Sequence, residues 1–191
     1  MIALFSESLF MLPLLLCSLI AVAVIIHRLV SLRGAQVLPM SLVRALESGE
    51  KAQIHRSLEV DASSLGRVCR DVLIVQHPDR AAATTSAESS AREEVTKLQA
   101  GLTTLEVIIT IAPLLGLLGT VSGLVTVFSG LGDANGNAAP SGSGIARGIA
   151  EALNTTIAGL VVAVPAVIAH GYFQRKIDQL TVRMERVLYR A

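Results

Sequence analysis

The sequence has no tryptophan, few other aromatic residues and few charges. Aromatic residues make up 3% of the 191 positions and Asp, Glu, Lys and Arg together 16%, whereas 52% are hydrophobic. A soluble domain with so little charge cannot cover this much apolar surface with groups that water solvates. Much of the chain is therefore expected to lie in a lipid bilayer.

Cysteine is also scarce, and neither cysteine lies in a metal-binding pattern. Cys17 belongs to an apolar run and Cys69 to a polar segment, so a disulfide between them is not expected. There is no CxxC motif and no Cys/His cluster, so we predict neither a metal nor another cofactor. The net charge is +1 and the basic residues are scattered, which argues against nucleic-acid binding.

Three uncharged apolar runs are long enough to cross a membrane. They cover residues 9–26, 107–131 and 152–169, and a transmembrane helix needs about 20 such residues. A secretory signal peptide would carry basic residues before its apolar core, and the segment before the first run has none. We therefore predict three transmembrane helices, the first of them uncleaved.

The positions of the positive charges predict the direction of the spans. His27, Arg28 and Arg33 follow the first run, and Arg175 and Lys176 follow the third. The segment before the first run has no Lys or Arg, and the segment between the second and third runs has one. Because basic residues flank membrane spans on the cytoplasmic side, we predict a periplasmic N-terminus and a cytoplasmic C-terminus.

The predicted fold class is an all-α membrane protein whose three spans carry long cytoplasmic helical extensions. The predicted segments are a periplasmic N-terminus with the first span (1–30), a cytoplasmic helical region (31–104), the second span (105–131), a periplasmic loop (132–146), the third span (147–173) and a cytoplasmic C-terminal helix (174–191).

The cytoplasmic region is predicted to be amphipathic and helical. Apolar residues recur at helical spacing in 42–46 and in 65–72. Residues 80–90 are rich in Ala, Thr and Ser and suggest a loose linker, within which Thr85 and Glu88 have the spacing of a capping box. From that point we expect one unbroken helix into the second span, weakened only by Gly101.

The second span contains glycines at a spacing that allows close helix packing. Gly119 and Gly123 form a GxxxG step and Gly116 lies near the same face, so another backbone can approach there. Pro113, and Pro165 in the third span, each remove a backbone hydrogen bond and are candidate kinks.

Hydroxyl and amide side chains also lie within the runs. Thr120 is near the middle of the second run, and Asn154, Thr155 and Thr156 are consecutive in the third. Three adjacent polar residues cannot all face lipid without a large cost, so this segment is expected to meet protein or water. Simple helix packing remains the alternative, because a hydroxyl often bonds to its own helical turn.

One acidic residue, Glu151, lies at the outer end of the third run, four residues after Arg147. It could be an exposed carboxylate paired with Arg147, or it could face the mouth of a pore, and the sequence leaves both open. The central part of each run has no charged residue. If the chain conducts protons, a partner must supply the carboxylate that carries them.

Two segments closely resemble the MotA/TolQ/ExbB proton channel family, and within it the ExbB branch. They are APLLGLLGTVSG at 112–123 and GIAEALNTTIAGLVVAVP at 148–165, and the resemblance extends over about residues 100–175. It implies an inner-membrane homopentamer whose second and third helices line a pore. Inside the pore would lie a dimer of an ExbD-like single-span partner whose membrane aspartate carries the proton.

The resemblance also assigns residue roles. By position in the motif, Thr120 and Thr156 are expected to line the pore and Glu151 to lie at its periplasmic end, with Asn154 and Thr155 on the same pathway. The assembly would couple proton motive force, through a TonB-like protein, to outer-membrane transport without enzymatic chemistry. A TolQ role in envelope maintenance and a non-conducting membrane scaffold remain alternatives.

Overall fold

The computed structural model describes residues 10–32, 37–48, 53–54, 56, 58, 61, 63–73, 80–132 and 142–188, and in these residues all regular structure is helical. The helices with defined bounds are α1 (Met11–Ser31), α2 (Met40–Ser48), α3 (Ser64–Leu73), α4 (Arg80–Gln99), α5 (Leu102–Gly132) and α6 (Gly142–Leu188).

Three helical stretches are long and apolar enough to cross a membrane. They lie in Met11–Ser31, in Thr84–Ser129, which includes α5, and in Gly142–Val187 of α6. Large apolar side chains such as Leu12, Val125 and Ile168 are more than half exposed on these helices, which is the surface that a lipid environment favours. The predicted all-α class with three candidate spans is confirmed.

The chain divides into two compact units. We call Met1–Ile25 with Thr103–His170 the membrane unit, and Ile26–Leu102 with Gly171–Ala191 the basic unit. Every Lys and Arg of the sequence except Arg147 belongs to the basic unit, which has 15 of these residues against 11 Asp and Glu.

The two amphipathic segments of the basic unit form α2 and α3. They bury an apolar cluster, to which α6 contributes Met184; its other members are Leu42, Leu46, Leu58, Leu65, Val68 and Cys69. The Ser63 hydroxyl accepts a 3.0 Å hydrogen bond from the Gly66 amide and so caps the first turn of α3. Burial raises the pKa of the Cys69 thiol to about 12, so this cysteine is an unreactive core residue.

An ion pair joins α3 to α4. The Arg67 guanidinium donates to both carboxylate oxygens of Glu94, with Nε–Oε1 at 2.9 Å and Nη2–Oε2 at 2.5 Å. Lys97 also lies 3.0 Å from Glu94. Burial alone would raise the pKa of Glu94, but the hydrogen bonds from Arg67 and Lys97 outweigh it, so the pKa lies below its ordinary value.

We expect Glu94→Gln to lower the stability of the purified protein by about 1 kcal/mol, because it weakens a bidentate pair whose arginine is half exposed. Thermal unfolding followed by circular dichroism should show a melting temperature about 2–4 °C lower at neutral pH. Since the folded pKa lies below the ordinary 4.5, the Glu94 contribution is complete above that pH and is lost as the pH falls through the folded pKa. The stability of Glu94→Gln should therefore equal that of the wild type only in strong acid.

The matched control is Glu93→Gln, since the Glu93 side chain is 70% exposed and, in the described part of the chain, forms an ion pair with Lys97 alone. This variant should melt within about 1 °C of the wild type. Equal melting of Glu94→Gln and the wild type at neutral pH would contradict the assignment of the pair as a stabilising contact.

The predicted linker at 80–90 is wrong, because these residues form the first half of α4. No glycine or proline occurs between Arg80 and Gln99, and alanine, the best helix former, is frequent in this segment. Thr85 and Glu88 therefore lie inside the helix and do not cap its start.

The predicted unbroken helix into the second span is also wrong. The chain turns at Ala100 and Gly101, and Gly101 has a φ of 81°. Such a left-handed glycine ends a helix by satisfying the last carbonyl groups. Conversely, no break separates the predicted third span from the predicted C-terminal helix, since α6 runs through both.

Candidate functional site

Helices α5 and α6 pack against each other in antiparallel directions within the membrane unit. A Cβ placed at Gly116 would lie 2.8 Å from the Thr155 carbonyl oxygen, and one at Gly123 would lie 2.8 Å from the Ala152 Cβ. As the residue numbers rise along α5, the numbers of the α6 residues in contact fall, so the two helices run in opposite directions. Small residues at this spacing let two backbones approach closely.

Among the glycines of the α5–α6 contact, Gly159 of α6 brings the two backbones closest together. A Cβ there would lie 2.6 Å from the Ala112 carbonyl oxygen and 3.2 Å from the Gly116 Cα, and real Cβ atoms do not tolerate the first distance. The structure thus places Gly116, Gly119 and Gly123 of the predicted packing face against α6.

Thr155 lies inside this contact. Its side chain is buried, and its hydroxyl is 3.0 Å from the Gly116 carbonyl oxygen on α5 and 2.7 Å from the Ala152 carbonyl oxygen on α6. Gly119 has no side chain, which leaves room for it, because a Cβ there would lie 2.7 Å from the Thr155 hydroxyl oxygen. In this chain Thr155 joins α5 to α6.

Thr120 and Thr156 lie beside Thr155 and are only half-buried. Their hydroxyls are in hydrogen-bonding contact with each other. Both hydroxyls are also 3.2 Å from the Gly116 carbonyl oxygen, and that of Thr120 is 3.2 Å from the Ala152 carbonyl oxygen. The two residues that the sequence motif singled out are therefore neighbours in the structure.

The five predicted pathway residues do not share one surface. Successive residues of an α-helix are about 100° apart, so Thr156 and Asn154 lie on opposite sides of buried Thr155. Glu151, one turn earlier, lies on the side of Asn154. We call Thr120 with Thr156 the hydroxyl flank, and the opposite side with Glu151 and Asn154 the acidic flank.

Two hydroxyl residues of α5 belong to the acidic flank. Ser122 and Thr126 are two and six residues after Thr120, which rotates both well away from it, and both are exposed. The Thr126 hydroxyl donates to the Ser122 carbonyl oxygen at 3.1 Å. Sequence reasoning did not connect these residues with Glu151, because their spacing from Thr120 gives only their face of α5 and not the residues of α6 beside it.

Glu151 lies deeper than its place in the sequence suggested. It precedes Ala152, which packs on Gly123, and Gly123 lies eight residues, or about 12 Å, before the end of the second apolar run at residue 131. Helix α6 begins nine residues earlier, at Gly142. Glu151 is exposed, and the ion pairs found in the described residues do not include one with Arg147.

Pro113 and Pro165 lie inside α5 and α6, and both helices continue through them. Each proline lacks the amide that would bond four residues back, so the carbonyl groups of Ile109 and Val161 lose that donor. Within the described ranges no three His, Cys, Asp or Glu residues are grouped in a way that could hold a metal ion.

Comparison with known proteins identifies the family of the chain. A model of the MotA/TolQ/ExbB proton channel family matches residues 44–186. The chain is 36% identical over 165 residues to an ExbB-like biopolymer transport protein of Synechocystis, covering 83% of this chain and 64% of that protein. It is 31% identical over 183 residues to biopolymer transport protein exbB1 of Vibrio cholerae, covering 92% and 79%. The chain belongs to the MotA/TolQ/ExbB proton channel family.

Within the MotA/TolQ/ExbB family the chain is ExbB-like. It is also 40% identical over 93 residues to the Tol-Pal system protein TolQ of Pseudomonas aeruginosa, covering 49% of this chain and 38% of that protein. The family match reaches well beyond the motif segments, from α2 to near the end of α6, and so includes most of the basic unit. The alignment spans less than two thirds of the Synechocystis protein.

Sequence reasoning missed the packing stripe on α6 of this family member. Gly148, Ala152, Thr155 and Gly159 recur every three or four residues and face α5. Small residues at helical spacing in the sequence could have predicted this packing face. The functional interpretation rested instead on the charged and polar residues between them.

Proposed function

We propose that this chain is a subunit of an oligomeric proton channel of the bacterial inner membrane that couples proton motive force to TonB-dependent outer-membrane transport. The observation that carries the proposal is the pair of contacting hydroxyls, Thr120 and Thr156, held on a shared carbonyl oxygen of Gly116 at the depth of the predicted spans. Half-buried hydroxyls that donate and accept can pass a proton along a hydrogen-bonded path.

The two polar flanks support assembly into a larger complex. Glu151 and Asn154 are exposed in the single chain at a depth where lipid would otherwise surround them. Polar groups at this depth require water or protein partners. A homopentamer that encloses a pore would supply both, with one flank toward the pore and the other against a neighbouring subunit.

A partner is required for conduction. In the described part of the membrane unit the charged residues are Glu106, Arg147 and Glu151, and none of them lies beside the Thr120–Thr156 pair. An ExbD-like single-span protein with a membrane aspartate would provide the group that takes up and releases the proton. No chemical reaction is assigned to the chain itself.

The charge distribution supports the proposed orientation. All Lys and Arg residues except Arg147 belong to the basic unit, and basic segments flank spans on the cytoplasmic side. We therefore assign the basic unit to the cytoplasm and the N-terminus and the segment between α5 and α6 to the periplasm. Glu151 then lies in the periplasmic half of the membrane.

The experiment is proton flux into proteoliposomes that contain the chain and an ExbD-like partner purified together. We expect flux driven by a membrane potential from the complex and none from either protein alone. Copurification without any flux would favour a non-conducting scaffold and contradict the proposal.

A TolQ role is the second candidate, favoured by the 40% identity to TolQ over 93 residues. A deletion strain separates the two roles. Poor growth on scarce iron with an intact envelope supports coupling to TonB, whereas normal growth on scarce iron with a detergent-sensitive envelope assigns the chain to the Tol-Pal system.

A further inference from the structure

Arg28, in the last turn of α1, is a buried cation. Its residue is 6% exposed, and its side chain makes no hydrogen bond or ion pair in the part of the chain that the structure describes. A guanidinium cannot be neutralised by losing a proton at any physiological pH. Its N–H donors therefore find no acceptor among the described residues, and a buried cation in this state is costly unless another group satisfies it.

Gly101 allows the Arg28 side chain to approach the turn between α4 and α5 closely. Gly101, the left-handed glycine between α4 and α5, faces the guanidinium, and a Cβ at this position would lie 3.1 Å from Nε and 3.3 Å from Nη2. Both residues belong to the basic unit. The absence of a side chain at Gly101 therefore lets the Arg28 guanidinium itself lie close against the turn between α4 and α5.

The depth of Arg28 fits the phosphate layer of a bilayer. It lies 17 residues after Met11, the first residue of α1, which is about 25 Å along the helix axis and close to the thickness of the hydrocarbon layer. Its neighbours Ile26, Leu29 and Val30 are apolar and 58%, 48% and 47% exposed. Lipid chains would cover these side chains, so a lipid headgroup would reach the end of α1.

We propose that Arg28 binds the phosphate group of a phospholipid in the cytoplasmic leaflet. The planar guanidinium presents two parallel N–H groups that match two phosphate oxygens. The excess of basic over acidic residues in the same unit, 15 against 11, favours an anionic lipid such as phosphatidylglycerol. The site is independent of proton conduction and involves none of the residues of either flank.

The rival explanation is that Arg28 only complements the negative end of α4, which ends at Gln99, two residues before Gly101. That role requires a positive charge but no lipid. The two explanations differ in whether the purified protein distinguishes a phosphate-bearing lipid from one without phosphate.

The test uses the full-length chain, delipidated in detergent, with short-chain phosphatidylglycerol, the matching diacylglycerol and inorganic phosphate as probes. We expect native mass spectrometry to show one phosphatidylglycerol bound per chain and thermal unfolding to shift upward with this lipid alone. Arg28→Gln should weaken binding about ten-fold or more, and Arg28→Lys should weaken it less, because a lysine retains the charge but not the fork.

The matched control is Arg175→Gln, an exposed arginine that follows the third apolar run, which should bind the lipid as the wild type does. Equal binding by Arg28→Gln and the wild type, or equal losses in the two variants, would overturn the proposal. Equal stabilisation by diacylglycerol or by inorganic phosphate would also overturn it. These last comparisons need only the wild type, so they decide the matter even if Arg28→Gln does not fold.

Discussion

Gly159→Leu is expected to prevent α5 and α6 from packing and to have the largest effect on stability. Even a Cβ at this position would lie 2.6 Å from the Ala112 carbonyl oxygen, and a leucine adds three more carbon atoms in the same contact. Overpacking of this kind costs about 3 kcal/mol or more. The melting temperature in detergent should fall by about 10 °C, and the yield of monodisperse protein in size-exclusion chromatography should drop sharply.

Helix α6 supplies its own control for this experiment. A Cβ at Gly171 would meet nothing within 4 Å beyond its own helical turn, so Gly171→Leu introduces the same side chain into the same helix without a clash. It should melt within about 2 °C of the wild type. If Gly159→Leu is as stable as Gly171→Leu, the helices do not approach each other as closely as described.

The second large effect concerns the hydroxyl flank and depends on the proposed function. In complexes with an ExbD-like partner, we expect Thr120→Val and Thr156→Val each to lower proton flux at least about ten-fold, equivalent to about 1.4 kcal/mol in the barrier. Valine has nearly the shape of threonine but cannot donate or accept a hydrogen bond. Because the two hydroxyls contact each other, the double variant should conduct no less than either single variant.

Serine and the neighbouring threonine provide the controls. Thr156→Ser keeps the hydroxyl and should keep flux within about two-fold of the wild type. Thr155→Val removes a hydroxyl that lies inside the α5–α6 contact, so it should lower the melting temperature more than it lowers flux per folded complex. Additive losses in the Thr120 and Thr156 variants would show that the two residues do not act as a pair.

The three spans could be predicted because lipid imposes a simple requirement on composition and length. The apolar runs at 9–26, 107–131 and 152–169 needed no knowledge of packing. The two amphipathic helices could be predicted from residue spacing alone, because a helix that buries one face repeats its apolar residues with the helical period. The resemblance of the motif segments to one protein family also agreed with the comparison of the full chain.

The position of breaks between helices was harder to predict. Gly101 was recognised as a weak point, but a glycine inside a helix and a glycine that ends one differ only in φ, which the surrounding chain sets. In 80–90 the opposite error arose. Isolated serine and threonine residues favour turns, yet this segment is helical throughout. Its alanines favour a helix, and the Arg67–Glu94 pair holds the second half of α4 against α3.

The arrangement of the candidate site depends on the register between α5 and α6, which no local pattern contains. The sequence placed Glu151 at the end of an apolar run, but packing of Ala152 on Gly123 sets its depth. Likewise, the motif gave Thr155 and Thr156 similar roles, and the one-residue rotation between them buries the first and leaves the second half-exposed. Contacts between helices decide both outcomes.

The shared acceptor of the three threonines is a main-chain group. Thr120, Thr155 and Thr156 all lie within 3.2 Å of the Gly116 carbonyl oxygen, and every amino acid at position 116 would present the same oxygen. Mutagenesis can therefore remove each donor but never the acceptor, whose state must be observed spectroscopically. A ¹³C label in the Gly116 carbonyl would shift its amide vibration with the number of hydroxyls bound to it, and would count them in the intact protein.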